Sequence, residues 1–167
     1  MREGAIASLE ETKKYLLNLS DELTSDFSKA KEGRWGLNPD VDLADVFLLD
    51  IEIFPDGYGL ALYPMDKDLT QLGFIKLLEK YPDGPLRGID FGLEITSYDF
   101  ENPDDINEID EYYGQLTSFY INWVSECWDK AAGQRNAVPA YIMMHDDDIS
   151  YDLINKKWIA DSNKWSE

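Results

Sequence analysis

The chain has one cysteine and one histidine among its 167 residues. One cysteine, Cys127, excludes an internal disulfide and agrees with a reducing compartment. One histidine, His145, leaves no second imidazole for a zinc site of the usual kind. Basic residues are also scarce, 15 Lys and Arg against 34 Asp and Glu, for a formal net charge of −19. Phosphate contacts need Lys and Arg, so direct nucleic-acid binding is not expected. No apolar run approaches the roughly 18 residues of a membrane span, and the opening MREGAIASLEETKK lacks the apolar stretch of a signal peptide. The expectation is a cytoplasmic protein without membrane contact. A glycine-rich phosphate loop is missing too, because GYGLAL at 57–62 follows a turn and enters a strand.

What is present is apolar and aromatic material, 44% and 13% of the chain, enough for one good core and a single domain over 1–167. The organising stretch runs from Asn102 to about Ala132 and predicts one long amphipathic helix. Asn102 can cap it, Pro103 suits the first helical position, and Asp104 and Asp105 sit at the positive end of the dipole. Apolar residues follow at helical spacing: Ile106, Ile109, Tyr113, Leu116, Tyr120, Trp123, Val124, Cys127 and Ala131. Phe119 and Trp128 lie off that stripe, which predicts cover on more than one side. Gly133 is placed for a left-handed exit.

Residues 5–31 predict a first helix through Ile6, Leu9, Leu16, Leu23, Phe27 and Ala30, interrupted at Lys13 and Ser20. Gly33–Asp42 is a loop by composition, with Trp35 expected in the core. Ala44–Phe54 alternates as a strand, with Asp50 and Glu52 on its outer face. Pro55-Asp56-Gly57 then predicts a hairpin return along Tyr58–Met65. Leu69, Leu72, Ile75 and Leu78 suggest a short helix to Tyr81, capped by Asp66 or Asp68. Ile89–Tyr98 is a strand with Asp90 and Glu94 outward, and Val138–Met144 an apolar strand near the centre. The tail from Ile149 to Ile159 fits either a helix or a hairpin, with helix favoured. The sum is an α+β domain, a mostly antiparallel sheet of about four strands packed on a long central helix with additional helices.

Three constellations could carry chemistry. His145-Asp146-Asp147-Asp148 could hold a divalent ion and serve a small metal-dependent enzyme. Its spacing departs from an EF-hand, however, and no metal or other cofactor is expected. Cys127 lies on the apolar stripe near the negative end of the long helix, where a thiolate is disfavoured, so a core role is expected. Glu52 and Glu94 across adjacent strands could pair as acid and base, as chance pairs do in any acidic chain. No catalytic residue is assigned.

The charge itself is uneven. Residues 42–112 hold 18 acidic and 4 basic side chains, whereas 1–41 and 113–167 are nearly balanced. Asp50, Glu52, Asp90 and Glu94 fall on outward strand positions. Asp99, Glu101, Glu108, Asp110 and Glu111 crowd the entry to the long helix, interleaved with Tyr98 and Tyr112. Clustered like charges oppose folding, so either solubility or a basic partner must account for them.

The acidic crossing from Tyr98 to Tyr112, together with the aromatic helix ending FYINWVSECW, resembles the immunity proteins of bacterial polymorphic-toxin and contact-dependent inhibition systems. The resemblance is one of size, charge and element order over the whole chain. It implies a non-enzymatic inhibitor that binds a cognate toxin domain, often a basic nuclease, and blocks its active site. A structural adaptor domain is the remaining alternative.

Overall fold

A computed structural model of the chain describes residues 1–54, 59–79, 98–131, 133 and 138–166. The expected first helix is two helices, α1 (Glu3–Asn18) and α2 (Ser20–Glu32). At the junction the Leu19 N–H bonds to Leu16 O, and Ser20 Oγ donates to Leu17 O at 2.8 Å. Local bonds of this kind compete with the helical ladder, which turns the interruption at Ser20 into a break. Leu9, Leu16, Leu23 and Phe27 are buried, while Ile6 faces solvent. Beyond α2, Trp35 is buried as expected and stacks on Trp128, with centroids 5.5 Å apart.

Strands β1 (Leu48–Phe54) and β2 (Gly59–Met65) pair antiparallel, as the alternation predicts. The helix expected towards Tyr81 is not formed. Asp66 does cap, but its Oδ1 accepts from the N–H groups of both Asp68 and Thr70 and closes a turn. Leu69 at φ 66° then leaves the helical path. The Leu72 N–H bonds to Pro64 O, and Ile75–Leu77 becomes strand β3 against β2. Gly73 permits this return, because a Cβ there would overlap the Gly36 carbonyl. The strand expected at Ile89–Tyr98 lies outside the described residues apart from Tyr98, and the Pro55–Gly57 turn lies outside them entirely.

Helix α3 (Pro103–Lys130) is the long helix, with Asn102 Oδ1 accepting from the Asp104 N–H at 3.1 Å. Tyr112, Leu116, Tyr120, Trp123, Val124, Cys127 and Trp128 are buried along it, whereas Ile106 and Tyr113 are exposed. Trp128 is covered by Phe27 edge-on and by Trp35, so the helix is enclosed on more than one side. Gly133 is not left-handed as expected. It lies against Trp128, where a Cβ would overlap the indole ring.

Strand β4 (Ala140–Met144) runs parallel to β1 in the middle of the sheet. The tail forms a hairpin, β5 (Ile149–Asp152) and β6 (Lys157–Ala160), rather than the favoured helix. The Asp152 carboxylate decides this by accepting from the N–H groups of Ile154 and Asn155 and from Asn155 Nδ2. The result is an α+β fold in which the described residues form a six-stranded mixed sheet in the order β3-β2-β1-β4-β5-β6. Leu49, Ile51, Ile53, Leu60, Leu62 and Ile142 join the helices in one apolar core. Alternation therefore puts Asp50, Glu52, Phe54, Ala61, Tyr63, Tyr141 and Met143 on the opposite face. A single helical turn, Asp161–Trp165, crosses part of that face. No helix among the described residues is long and apolar enough to cross a membrane.

Candidate functional site

The acidic crossing is partly used by the fold. Arg2 reaches over from the start of α1, its guanidinium 2.6 Å from Asp105 and 3.5 Å from Glu108, and stacks 4.1 Å above the Tyr98 ring. Asp105 also accepts from the Asp99 N–H, and that bond together with Arg2 holds its carboxyl below the usual range. Tyr98 and Tyr112 are both buried, so neither belongs to an interface as the sequence suggested. The Tyr112 ring faces inward because the buried stripe of α3 passes through it instead of Tyr113, and the Tyr98 ring is covered by Arg2. Glu108 is half-buried beside Arg2. Asp99, Glu101, Asp104, Asp110 and Glu111 remain exposed together around the start of α3. Arg2 gave no signal in the sequence, since only the fold brings it to α3.

On the open face of the sheet, Asp50 is not an outward carboxylate at all. It is buried, and Lys164 from the crossing turn donates to both its oxygens at 2.7 and 2.8 Å. Lys164 is itself buried, 2.6 Å from Asp161 and 3.3 Å from Met143 Sδ. Ser150 Oγ donates to Asp161 Oδ1 at 2.7 Å. Two carboxylates thus share one ammonium, and they titrate apart. Burial pushes Asp50 up beyond what Lys164 pulls down. Against its own burial, bonds from Lys164 and Ser150 hold Asp161 below its ordinary value. Nothing in the tail sequence marks Lys164 as a core residue.

Glu52, the next residue on that face, is half-buried and within 2.9 Å of His145 Nδ1, while Nε2 lies 3.6 Å from Asp146. The imidazole packs on Phe54, with centroids 4.3 Å apart. Asp147 Oδ1 accepts from the N–H groups of Asp148 and Ile149, which makes the segment a structured turn. Among the described residues no group of three His, Cys, Asp or Glu side chains is disposed to hold a metal ion. Asp90 and Glu94 lie outside the described residues, so the Glu52–Glu94 pairing does too.

Beside Glu52 a pocket of about 280 Å³ opens between Phe54, Ala61, Tyr63, Phe74 and Lys76. The alternation of β1 and β2 placed Phe54, Ala61 and Tyr63 together, but Phe74 was hidden by the helical expectation. Burial raises the Tyr63 hydroxyl above its ordinary value, and the carboxylates of Glu52 and Asp50 raise it further. A second groove of about 540 Å³ is rimmed by Asp40, Asp45, Asp66 and Asp68, with Lys67 among them. Cys127 is buried in the core as expected, its Sγ 3.6 Å from Ser20 O and its thiol pushed up by burial. Compared with protein-family models, curated proteins and solved structures, the chain matches none.

Proposed function

We propose that this chain is a non-enzymatic acidic binding protein, an immunity protein that neutralises a cognate bacterial toxin domain by covering its basic active-site surface. The observation that carries this reading is the exposed set Asp99, Glu101, Asp104, Asp110 and Glu111 around the start of α3. The dipole of α3 favours Asp104 in its first turn, and Asn102 caps the helix. Glu111 accepts from Gln115 Nε2 one turn on and lies 3.9 Å from the N-terminal ammonium, but neither local structure nor the Arg2 pairs account for Glu101 and Asp110. Their mutual repulsion opposes folding, so a partner supplying Lys and Arg gives the cluster its purpose. A nuclease domain is basic where it holds phosphate, and a carboxylate surface fits the same groove. Long-range attraction would steer the encounter and raise the association rate by orders of magnitude at low salt.

The test captures the partner from the source cell with the wild-type chain and compares the variant Glu101→Gln/Asp110→Asn/Glu111→Gln. Stopped-flow association at low and high salt should show a slower variant with a flatter salt dependence, because fewer charges remain to be screened. Identical rates and salt slopes would remove the interface from these positions. Loss of the partner's toxic activity on binding is the second readout, and an active complex would refute inhibition.

A further inference from the structure

Two segments enclose the groove of about 540 Å³, residues 40–47 ahead of β1 and residues 66–72 after β2. Bonds from the Phe47 N–H to Met65 O and from the Leu72 N–H to Pro64 O tie both segments to the end of the β1–β2 pair. Val46 is buried, Phe47 and Leu72 are half-buried, and together they give the groove an apolar floor. Asp40, Asp45 and Asp68 stand exposed at its rim, with Asp66 beside them, and Lys67 is the one cation in the lining. Arg34 reaches the Val41 carbonyl at 2.6 Å without lining the groove. The fold uses two of the four carboxylates. Asp66 Oδ1 takes two N–H groups of its turn, and the Asp42 N–H bonds to Asp45 Oδ2 at 3.3 Å. Asp40 and Asp68, one on each segment, have carboxylates with no hydrogen bond or ion pair among the described residues. Leu43 and Leu69, again one on each segment, are exposed.

An apolar floor inside a charged rim is the anatomy of a protein interface, whereas cavities for small molecules are mostly apolar with a few inward polar groups. The volume lies within the roughly 300–1,000 Å³ of ligand sites, which is room for more than one side chain. We propose that this groove docks a short basic segment of a partner protein, with an apolar side chain on Val46, Phe47 and Leu72 and flanking Lys or Arg against Asp40 and Asp68. Charge complementarity selects that occupant. A neutral segment would strip water from two carboxylates without replacing it, and an acidic one would add repulsion. A second copy of this chain, at a net charge of −19, is disfavoured for the same reason. The site goes beyond the acidic crossing, since no residue of α3 lines it.

The probe is the blocked peptide acetyl-Lys-Leu-Lys-amide, titrated into the isotope-labelled full chain at about 0.1 M salt, where charges act over only about 10 Å. NMR shifts centred on Val46, Phe47 and Leu72 should saturate with a midpoint of roughly 1–10 mM. Asp40→Asn/Asp68→Asn, a change at two exposed and unbonded side chains, should weaken binding roughly three- to tenfold, the worth of two exposed charge pairs. Lys67→Gln should strengthen it. Acetyl-Lys-Gly-Lys-amide should bind at least about fivefold more weakly, having lost its contact with the floor, and acetyl-Glu-Leu-Glu-amide should not bind. The crossing variant Glu101→Gln/Asp110→Asn/Glu111→Gln should bind the peptide as wild type does. Equal affinity for the glycine peptide, equal losses in the groove and crossing variants, or shifts confined to residues 99–111 would reveal unspecific attraction to an acidic surface and overturn the docking site. The lack of a saturable shift below about 50 mM peptide would overturn it as well. Failure here is separable from failure at the crossing. A peptide that ignores the groove, with toxin association still slowed by the crossing variant, removes the groove alone. A peptide that fills the groove, with association unchanged by that variant, removes the crossing alone.

Discussion

Lys164 Nζ lies 2.7 Å from Asp50 Oδ2, with both side chains buried. That contact fastens the Asp161–Trp165 turn across the sheet, helped by Trp165 stacking on Phe47 with centroids 6.2 Å apart. Removing the ammonium leaves the buried Asp50 carboxylate and the half-buried Asp161 carboxylate without the cation they share. Lys164→Met should cost about 3–5 kcal/mol in urea denaturation, the usual result of breaking a buried pair from one side. Asp50→Asn keeps the Lys164–Asp161 pair and should cost only about 1–2 kcal/mol. Equal losses for the two variants would mean that the ammonium is not the centre of this cluster.

The same cluster sets a pH signature. Asp50 has its folded pKa raised above the ordinary 3.8, so the folded chain binds more protons than the unfolded one between those two values. Stability from Asp50 therefore rises as pH falls through the folded value towards 3.8, and is lost as pH rises. Asp161, Asp105 and Asp66 are shifted the other way, so their contributions are present above about 3.9 and vanish as pH falls through their folded values. Melting temperatures measured from pH 7 downward should show wild type gaining on Asp50→Asn in mild acid. Both should then collapse at lower pH. Parallel curves for the two proteins would contradict the raised Asp50.

Ser20 joins the break between α1 and α2 to α3 by two contacts. Its Oγ accepts from Trp123 Nε1 at 2.9 Å, and its carbonyl faces the Cys127 thiol. Ser20→Ala leaves a buried indole N–H without its acceptor and should cost about 1–3 kcal/mol. Trp123→Ala should cost roughly 3–5 kcal/mol through the cavity it leaves. Cys127→Ala should cost on the order of 1–2 kcal/mol, Cys127→Ser more, and the native thiol should label slowly. Rapid labelling would place Cys127 outside the core.

Tyr120 offers the opposite case. Its hydroxyl is buried and has no hydrogen-bond partner among the described residues, and burial raises its pKa strongly. Tyr120→Phe removes a desolvated polar atom while keeping the ring, so stability should be unchanged or slightly higher by thermal unfolding. A loss above about 1 kcal/mol would reveal a partner for that oxygen.

Legibility in the sequence follows the range of the interactions that decide each element. The start of α3 is written locally, in Asn102, Pro103 and two aspartates, and it formed as read. Strand β3 is decided by distant partners, the Pro64 carbonyl and the close approach of Gly73 to Gly36, so Leu69–Leu78 with its helical spacing misled. The β5–β6 hairpin turns on Asp152, one carboxylate among many in an acidic chain. Gly133 was correctly singled out for the wrong reason, since the space taken by Trp128, and not a left-handed exit, requires it. In the candidate site, the exposure of Glu101, Asp110 and Glu111 was readable from charge density. The burial of Asp50 was not, because its cation arrives from 114 residues away.

Arg2 supplies a test of the crossing in the direction opposite to neutralisation. Its guanidinium is substantially exposed, so its pairs with Asp105 and Glu108 add little stability, and Arg2→Gln should cost under about 1 kcal/mol. The electrostatic effect is larger than the structural one. Arg2→Gln removes the guanidinium paired with Asp105 and Glu108 beside Asp104, Asp110 and Glu111, and leaves the N-terminal ammonium near Glu111 in place. If the crossing receives a basic toxin surface, this variant should associate faster than wild type at low salt and lose that advantage as salt is raised. The variant Glu101→Gln/Asp110→Asn/Glu111→Gln should move the same two quantities the other way. Stopped-flow traces of both variants against the captured partner decide the matter, because a purely solubilising surface predicts that neither rate moves. A faster Arg2→Gln with an unchanged triple variant would shift the interface towards Asp105 and Glu108. A slower one would mean that Arg2 itself meets the partner.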